Sequence, residues 1–216
     1  MPRARIAWEG RVIELDSSHL IAIAAALGWA SGLRLYAVLF FVGIAGHFEW
    51  VPMPPGLALW SQPLVLGATG LMLAVEFFAD KIPGVDSAWD VVHTVIRVPA
   101  GAALTASVLG GDGATWTLIA ALMGGTLAAT SHVAKATTRA AVNTSPEPFS
   151  NLGLSLVGDA VVPGMLYLAW EQPLWFFGAL GVAVVAGLVA TFVLFRFLRA
   201  IVRRIRARIA GEAVQA

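Results

Sequence analysis

Charged side chains recur at helical spacing within one apolar segment of the chain, VEFFADKIPGVDSAWDVVHTVIRVPAGA. At about 100° per residue, one set falls within a roughly 60° arc of a helix, and its members are Asp86, Asp90, His93 and Arg97. Glu76 and Asp80 are one turn apart on the apolar run that precedes them. A charge at membrane depth costs a few kcal/mol, so it is rarely present without a partner or a function. This acidic stripe therefore predicts an ion-pair network or a pathway for a polar solute.

The same segment also has the donor atoms of a metal site. Carboxylate oxygens with one imidazole suit a hard or borderline divalent ion, and the candidate ligands are Glu76, Asp80, Asp86, Asp90 and His93. The spacing permits a metal without requiring one, because carboxylates beside Lys81 and Arg97 more often form ion pairs. A divalent metal ion is the one cofactor that the sequence suggests.

A basic face follows in the segment ATSHVAKATTRAAVN. His132, Lys135 and Arg139 are spaced i, i+3 and i+7, again within a roughly 60° arc. We expect this face to meet the acidic stripe, because neither can be left against lipid at low cost. The alternative is that these cations extend to lipid headgroups at the cytoplasmic end of a span.

Two further features place polar groups inside apolar runs. In GWASGLRLY, small residues surround Arg34, and they permit either close helix packing or local unwinding of the kind found in transporters. The simplest role for Arg34 is to neutralise a carboxylate elsewhere in the bundle. After the loop NTSPEPFSN, Asn151, Ser155 and Asp159 continue along one helix face, whose N-terminal N–H groups favour an anion.

Composition identifies the class of protein. Of 216 residues, 58% are hydrophobic and only 12% are charged, against about 25% in average soluble proteins. The mean hydropathy is +0.80. The absence of cysteine excludes disulfides and thiolate chemistry. No nucleic-acid motif is present. The sequence thus predicts an all-α, polytopic transmembrane helical bundle.

Six spans are predicted from apolar runs of nearly the length that a bilayer requires. They are Leu20–Ile44, Gln62–Ala79, His93–Leu109, Thr115–Ala136, Asn151–Trp170 and Leu174–Phe195. This divides the chain into a cytoplasmic N-terminal segment (1–19), a transmembrane domain (20–195) and a basic amphipathic cytoplasmic tail (196–216). Spans one to three and four to six would have opposite orientations, which allows a 3+3 inverted repeat.

Lysine and arginine set the expected orientation. They lie before span one, around the loops after spans two and four, and in a cluster between Arg196 and Arg208, but not in the other three loops. The positive-inside rule then places both termini in the cytoplasm of a bacterial inner membrane. The tail is expected to lie on anionic lipid, with a regulatory or partner-binding role as the alternative.

The sequence resembles a bacterial family of integral membrane proteins known as domain of unknown function 4126. The resemblance rests on SGLRLY, EFFADKIPGVDSAWDVVHTVIRVPAGA, HVAKATTRAAVNTSPEPFSN and SLVGD, and covers roughly residues 28–159. It implies a small polytopic membrane protein and supplies neither a substrate nor catalytic residues.

Two functions fit these observations. The first is a small transporter or channel for an ion or a small polar or anionic solute. Its pathway would be lined by Arg34, Glu76, Asp80, Asp86, Asp90, His93, Arg97, His132, Lys135, Arg139, Asn151 and Asp159. The second is a metal-dependent membrane enzyme acting on a lipid or phosphate ester at the cytoplasmic face. Charges spread over several spans favour transport. A scaffold with a structural core of ion pairs is a third reading, and a homo-oligomer is compatible with all three.

Overall fold

The computed structural model describes residues 7–8, 11–12, 15–82, 84–144 and 148–215, which form a helical bundle preceded by two short paired strands. The strands are β1 (Ala7–Trp8) and β2 (Arg11–Val12), which pair antiparallel. The α-helices are α1 (Ser17–His47), α2 (Pro63–Ala79), α3 (Val85–Leu109), α4 (Ala114–Val142), α5 (Pro148–Glu171) and α6 (Pro173–Gln215). Short 3-10 helices, Pro55–Ser61 and Gly110–Asp112, precede α2 and α4. The prediction of an all-α polytopic bundle is confirmed.

The first helix is interrupted at Arg34, whose φ of −148° and ψ of 88° are not helical. This divides α1 into two halves, residues 17–33 and 35–47. The break leaves the last carbonyls of the first half and the first N–H groups of the second half without partners inside the helix. The local unwinding that the small residues before Arg34 permit is therefore present.

The first half of α1 packs between α3 and α4, with its N-terminal part at the end of the bundle where α3 finishes. Thr105 Oγ1, late in α3, donates a hydrogen bond to the Ala24 carbonyl at 2.9 Å. Gly28 lies directly on the backbone of Gly124 in α4, so closely that a Cβ at either glycine would collide with its neighbours. The first half of α1 therefore runs from the C-terminal end of α3 towards the break at Arg34.

The second half of α1 returns to the same end. Gly43 packs against the carbonyl of Trp60, which lies in the 3-10 helix Pro55–Ser61. Gly56, in that 3-10 helix, packs against the Ser107 carbonyl in the last turn of α3. A straight helix would separate Ala24 from Gly43 by about 28 Å. Because both lie at this end of α3, the chain reverses its direction at the break, and α1 is a helical hairpin rather than one straight rod.

Within the described part of the chain, five helices are long and apolar enough to cross a membrane: Ser17–His47, Val85–Leu109, Ala114–Val142, Phe149–Glu171 and Pro173–Arg204. Helix α2 is long and apolar enough to cross a membrane only when it is taken together with the 3-10 helix Pro55–Ser61. The axes of these two helices differ by 73°. The first predicted span, Leu20–Ile44, needs correction, because its two halves double back at Arg34. The sequence could not show this, since both halves are equally apolar. The inverted repeat stays a prediction.

Helix α1 forms the centre of the bundle. Most of its residues are buried, and it contacts each of the five other α-helices. In contrast, α6 buries Phe176 and Leu180 but exposes much of its apolar part, with Val182, Val189 and Phe192 all more than half exposed. Such a surface is suited to contact with lipid acyl chains.

Candidate functional site: a buried ion-pair network

Ten ion pairs join charged side chains from α1 to α5 into one continuous network among the described residues. Its carboxylates are Glu76, Asp80, Asp86, Asp90 and Asp159, and its cations are Arg34, Lys81, Arg97, Lys135 and Arg139. Five negative and five positive charges balance, so the network has no net charge. This balance offsets part of the high cost of burying each ion alone.

Asp80 is the most highly connected carboxylate. It caps the C-terminal end of α2 and is completely buried. Its oxygens lie 3.1 Å from Arg34 Nη2, 3.1 Å from Lys135 Nζ and 3.2 Å from Arg139 Nη2. One carboxylate thus holds together α1, the end of α2 and α4.

Arg34, at the break in α1, connects this centre to α5. Its Nη1 lies 3.0 Å from Asp159 Oδ1, and its Nη2 donates to the carbonyl and hydroxyl oxygens of Ser155. Lys81 completes this side, 2.9 Å from Asp159 Oδ2 and 3.0 Å from the centre of the Phe77 ring. The expectation that Arg34 neutralises a carboxylate is confirmed, with two carboxylates rather than one.

The acidic stripe on α3 meets the basic face on α4, as its spacing predicts. Arg97, fully buried, bridges Glu76 at 2.8 Å and Asp90 at 2.7 Å. Asp90 Oδ1 lies 3.1 Å from Lys135 Nζ, across to α4.

Arg139 makes the second connection between α3 and α4. Its Nη1 lies 3.1 Å from Asp86 Oδ2 and donates to the Asp80 carbonyl at 3.0 Å. These contacts explain why this face of α4 is turned inwards. The alternative, in which its cations reach lipid headgroups, is wrong for Lys135 and Arg139, because their side chains are at most 8% exposed.

His132 contributes a polar contact rather than an ion pair. Its Nε2 lies 2.8 Å from Thr94 Oγ1, whose hydroxyl donates to the Asp90 carbonyl. Its Nδ1 lies 3.4 Å from Arg97 Nη1, which can only donate. These partners assign a neutral ring with the proton on Nε2.

His93 lies on the edge of the network. Its ring stacks on Trp89 at 4.0 Å, its Nδ1 donates to the Trp89 carbonyl, and its Nε2 lies 3.4 Å from the Tyr36 hydroxyl. Within the part of the chain that the structure describes, no three His, Asp or Glu side chains form a group that could hold a metal. The predicted ligands Glu76, Asp80, Asp86, Asp90 and His93 do not form one group, because cations lie between these carboxylates and His93 faces aromatic rings. Metal binding stays a prediction.

Asn151, a predicted pathway residue, does not join the ion-pair network of the described residues. It is 1% exposed, and neither its amide oxygen nor its amide nitrogen has a hydrogen-bond partner among the described residues. It occupies the same face of α5 as Ser155 and Asp159, which do join the network.

One important residue was missed by the sequence reasoning. Asn143 Nδ2 donates to both carboxylate oxygens of Asp86, at 3.1 and 3.2 Å, and to Ser87 Oγ at 3.0 Å. It continues the basic face by one turn beyond Arg139, so extending the same spacing would have found it. Tyr36 could not be found in this way, because the break at Arg34 changes the direction of its side chain.

A cavity of about 400 Å³ adjoins the network between α1, α4, α5 and α6. Its polar lining comprises Arg34, Lys135, Arg139, Ser155 and Thr138, whereas its α6 wall consists of small apolar residues. None of the described residues that line it is a carboxylate. The cavity therefore reaches the cationic side of the network.

These features define a polytopic helical membrane protein with a charge-balanced core beside a broken helix. A model of the family described as domain of unknown function (DUF4126) matches residues 21–195, and the chain belongs to that family. The resemblance seen in the sequence is thereby confirmed. No curated protein and no solved structure matches the chain.

Proposed function

We propose that this protein is a small membrane transporter for an anionic solute, with the buried network and its adjoining cavity as the pathway. The observation that carries the proposal is the break in α1 at Arg34, placed inside the network and against the cavity. Interrupted helices at membrane depth are tolerated where they are buried in protein or line a cavity, and transporters use them to bind substrates and coupling ions.

The cavity lining supports an anion rather than a cation as the solute. Arg34, Lys135 and Arg139 border the cavity, whereas none of their carboxylate partners among the described residues does. An anion at the network side of the cavity would lie beside three cationic side chains, and Ser155 Oγ could donate to it as well. A purely structural network would not need an adjoining cavity lined by its cations.

The hairpin in α1 also changes the expected topology. If α1 enters and leaves at one face, α2 to α6 make five crossings, and the start of α1 faces away from the arginines of α6. We propose that the network end and the C-terminal arginines are cytoplasmic, because the six arginines from Arg196 to Arg208 outnumber the three that precede α1. The N-terminus would then be on the outer side, which differs from the expectation of two cytoplasmic termini.

Cysteine labelling tests this topology directly, because the native chain contains no cysteine. Single cysteines at Ser17 and Glu49 should react with an impermeant maleimide from outside, and one at Thr144 only from inside. Labelling of position 17 from the same side as position 144 would refute the hairpin topology.

The transport proposal is tested by filling the cavity without changing any charge. Ala183 lines the cavity from α6, whereas Val189 on the same helix is 57% exposed on the lipid-facing surface. In proteoliposomes, Ala183→Phe should lower the uptake of small carboxylate or phosphate anions at least tenfold, and Val189→Phe should leave uptake close to wild type.

The two variants must first be shown to reconstitute equally. Equal uptake by Ala183→Phe and the wild type would exclude the cavity as the pathway. If the wild type transports no anion but hydrolyses a phosphate ester when a divalent metal is supplied, the protein is an enzyme and the proposal is wrong.

A further inference from the structure

The cavity beside the network has two chemically different sides. Arg34, Lys135 and Arg139 border it where it meets the network, and the rest of its lining is apolar apart from Ser155 and Thr138. We propose that the ligand of this cavity is an amphiphilic monoanion, in which one anionic group is attached to a short apolar body, as in butyrate or hexanoate. This inference names the solute class of the pathway and so rests on the proposed transport function, but the binding can be measured separately.

Helix α6 supplies a wall of the cavity that has little side-chain bulk. Its members Ala183, Ala186, Gly187 and Ala190 are spaced i, i+3, i+4 and i+7, so they share one helix face. The volume of about 400 Å³ is within the range of small-molecule sites. Such a wall offers no hydrogen bond to a hydrophilic anion, which would lose water there without replacement. It favours an apolar body, which leaves water on binding.

Two buried donors beside the cavity have no acceptor among the described residues. Arg139 Nε makes no hydrogen bond there and lies 3.7 Å from Asp90 Oδ2, which is beyond hydrogen-bond distance. Ser155 Oγ accepts from Arg34 Nη2 and Lys81 Nζ, so its own proton is left to be donated. Both residues line the cavity and are at most 2% exposed. Two donors match the two oxygens of a carboxylate, and a buried donor without an acceptor is costly until one binds.

The charge of the network favours a monoanion over a dianion. Its five carboxylates and five cations are already balanced, so every negative charge on the ligand is added in excess. A dianion such as hydrogen phosphate would add two such charges beside an apolar wall, and burying charge in excess is costly. A carboxylate on an apolar body adds only one.

The fluorescence of Trp29, which lines the cavity, reports whether the cavity is occupied. The full-length protein in phosphatidylcholine nanodiscs is titrated with 6-bromohexanoate, whose bromine quenches tryptophan on contact. We expect saturable quenching that is lost in Trp29→Phe. The control is 6-bromohexanol, which has the same bromoalkyl chain without the charge and should give no saturable quenching. Equal quenching by both compounds, or unchanged quenching in Trp29→Phe, would overturn the proposal.

Competition by unlabelled carboxylates uses the wild type and does not depend on the stability of any variant. Acetate, butyrate and hexanoate are titrated against bound 6-bromohexanoate at constant ionic strength. The Kd should fall by about fourfold for each methylene that is buried, which corresponds to about 0.8 kcal/mol. Equal competition by acetate and hexanoate would overturn the proposal.

Ala183→Val tests where the apolar body lies. Helix α6 begins at the end of the bundle where Trp170 contacts the Pro52 carbonyl, and it runs back towards the network. Ala183 is therefore one turn farther from the network than Gly187. The variant should weaken the binding of hexanoate and leave that of acetate unchanged, and Val189→Leu, on the exposed surface of α6, is the control. An equal loss for both acids would overturn the proposed arrangement of head and body.

The shared chemistry, an anionic group on an apolar body, is also that of an anionic phospholipid. Nanodiscs containing phosphatidylglycerol distinguish the two sources at high ionic strength. Unchanged binding of 6-bromohexanoate supports a free anion as the ligand, and its loss supports the lipid. Binding of hexanoate without its uptake into proteoliposomes would refute only the transport function. Uptake of acetate and phosphate without any preference for longer acids would refute only this ligand class.

Discussion

Asp80 offers the most discriminating test of how the network contributes to stability. Asp80→Asn preserves the shape of the side chain but removes the negative charge that Arg34, Lys135 and Arg139 share. Each of these cations keeps a second partner, respectively Asp159, Asp90 and Asp86, so the cost should not multiply by three. Loss of one partner from a buried pair typically costs about 3–5 kcal/mol, and we expect a value in this range.

The matched control is Asp159→Asn, at the more accessible edge of the network. The Asp159 side chain is 22% exposed, compared with complete burial for Asp80. Water can reach the Lys81 ammonium left behind, and the buried Arg34 keeps Asp80 as a partner, so the loss should be closer to about 1 kcal/mol, the upper value for exposed pairs. Both variants are unfolded by SDS titration in mixed micelles, followed by tryptophan fluorescence.

A double substitution distinguishes charge balance from simple loss of contacts. Asp80→Asn with Lys135→Met leaves four carboxylates and four cations, so the network is neutral again. We expect the double variant to be more stable than the sum of the two single effects, by about 0.5–3 kcal/mol. Additivity of the two single effects, or equal costs for Asp80→Asn and Asp159→Asn, would refute the view of one balanced network centred on Asp80.

Two further predictions concern helix packing and the α3–α4 contact. Gly32→Ala should destabilise the protein, because the added Cβ would collide with the Ala128 carbonyl. The control Gly67→Ala, whose Cβ would lie in open space, should be neutral or stabilising by up to about 1 kcal/mol. SDS titration compares the two variants, and equal effects would contradict the close packing of α1 on α4. Asn143→Ala should lower the free energy of unfolding by about 1–3 kcal/mol in the same assay, because Asp86 loses two charge-assisted hydrogen bonds. An unchanged unfolding midpoint in the SDS titration would show that this contact is dispensable.

The sequence predicted the composition of the network better than its geometry. Helical spacing was sufficient to place Asp86, Asp90 and Arg97 on one face and Lys135 and Arg139 on another, because both stripes lie on uninterrupted helices. The energetic argument that neither face can be left in lipid then predicted their contact, which the ion pairs confirm. What spacing could not provide was which carboxylate lies at the centre, because Asp80 follows the end of α2, where helical periodicity stops.

The topology was predicted less well, for a physical reason. Hydropathy identifies apolar segments of sufficient length but does not register the direction of the chain within them. The two halves of α1 are both apolar, and the residues at the break, Gly32 and Arg34, are also compatible with a continuous helix. Only tertiary contacts, such as Gly43 against Trp60, show that the chain returns to the end from which it came.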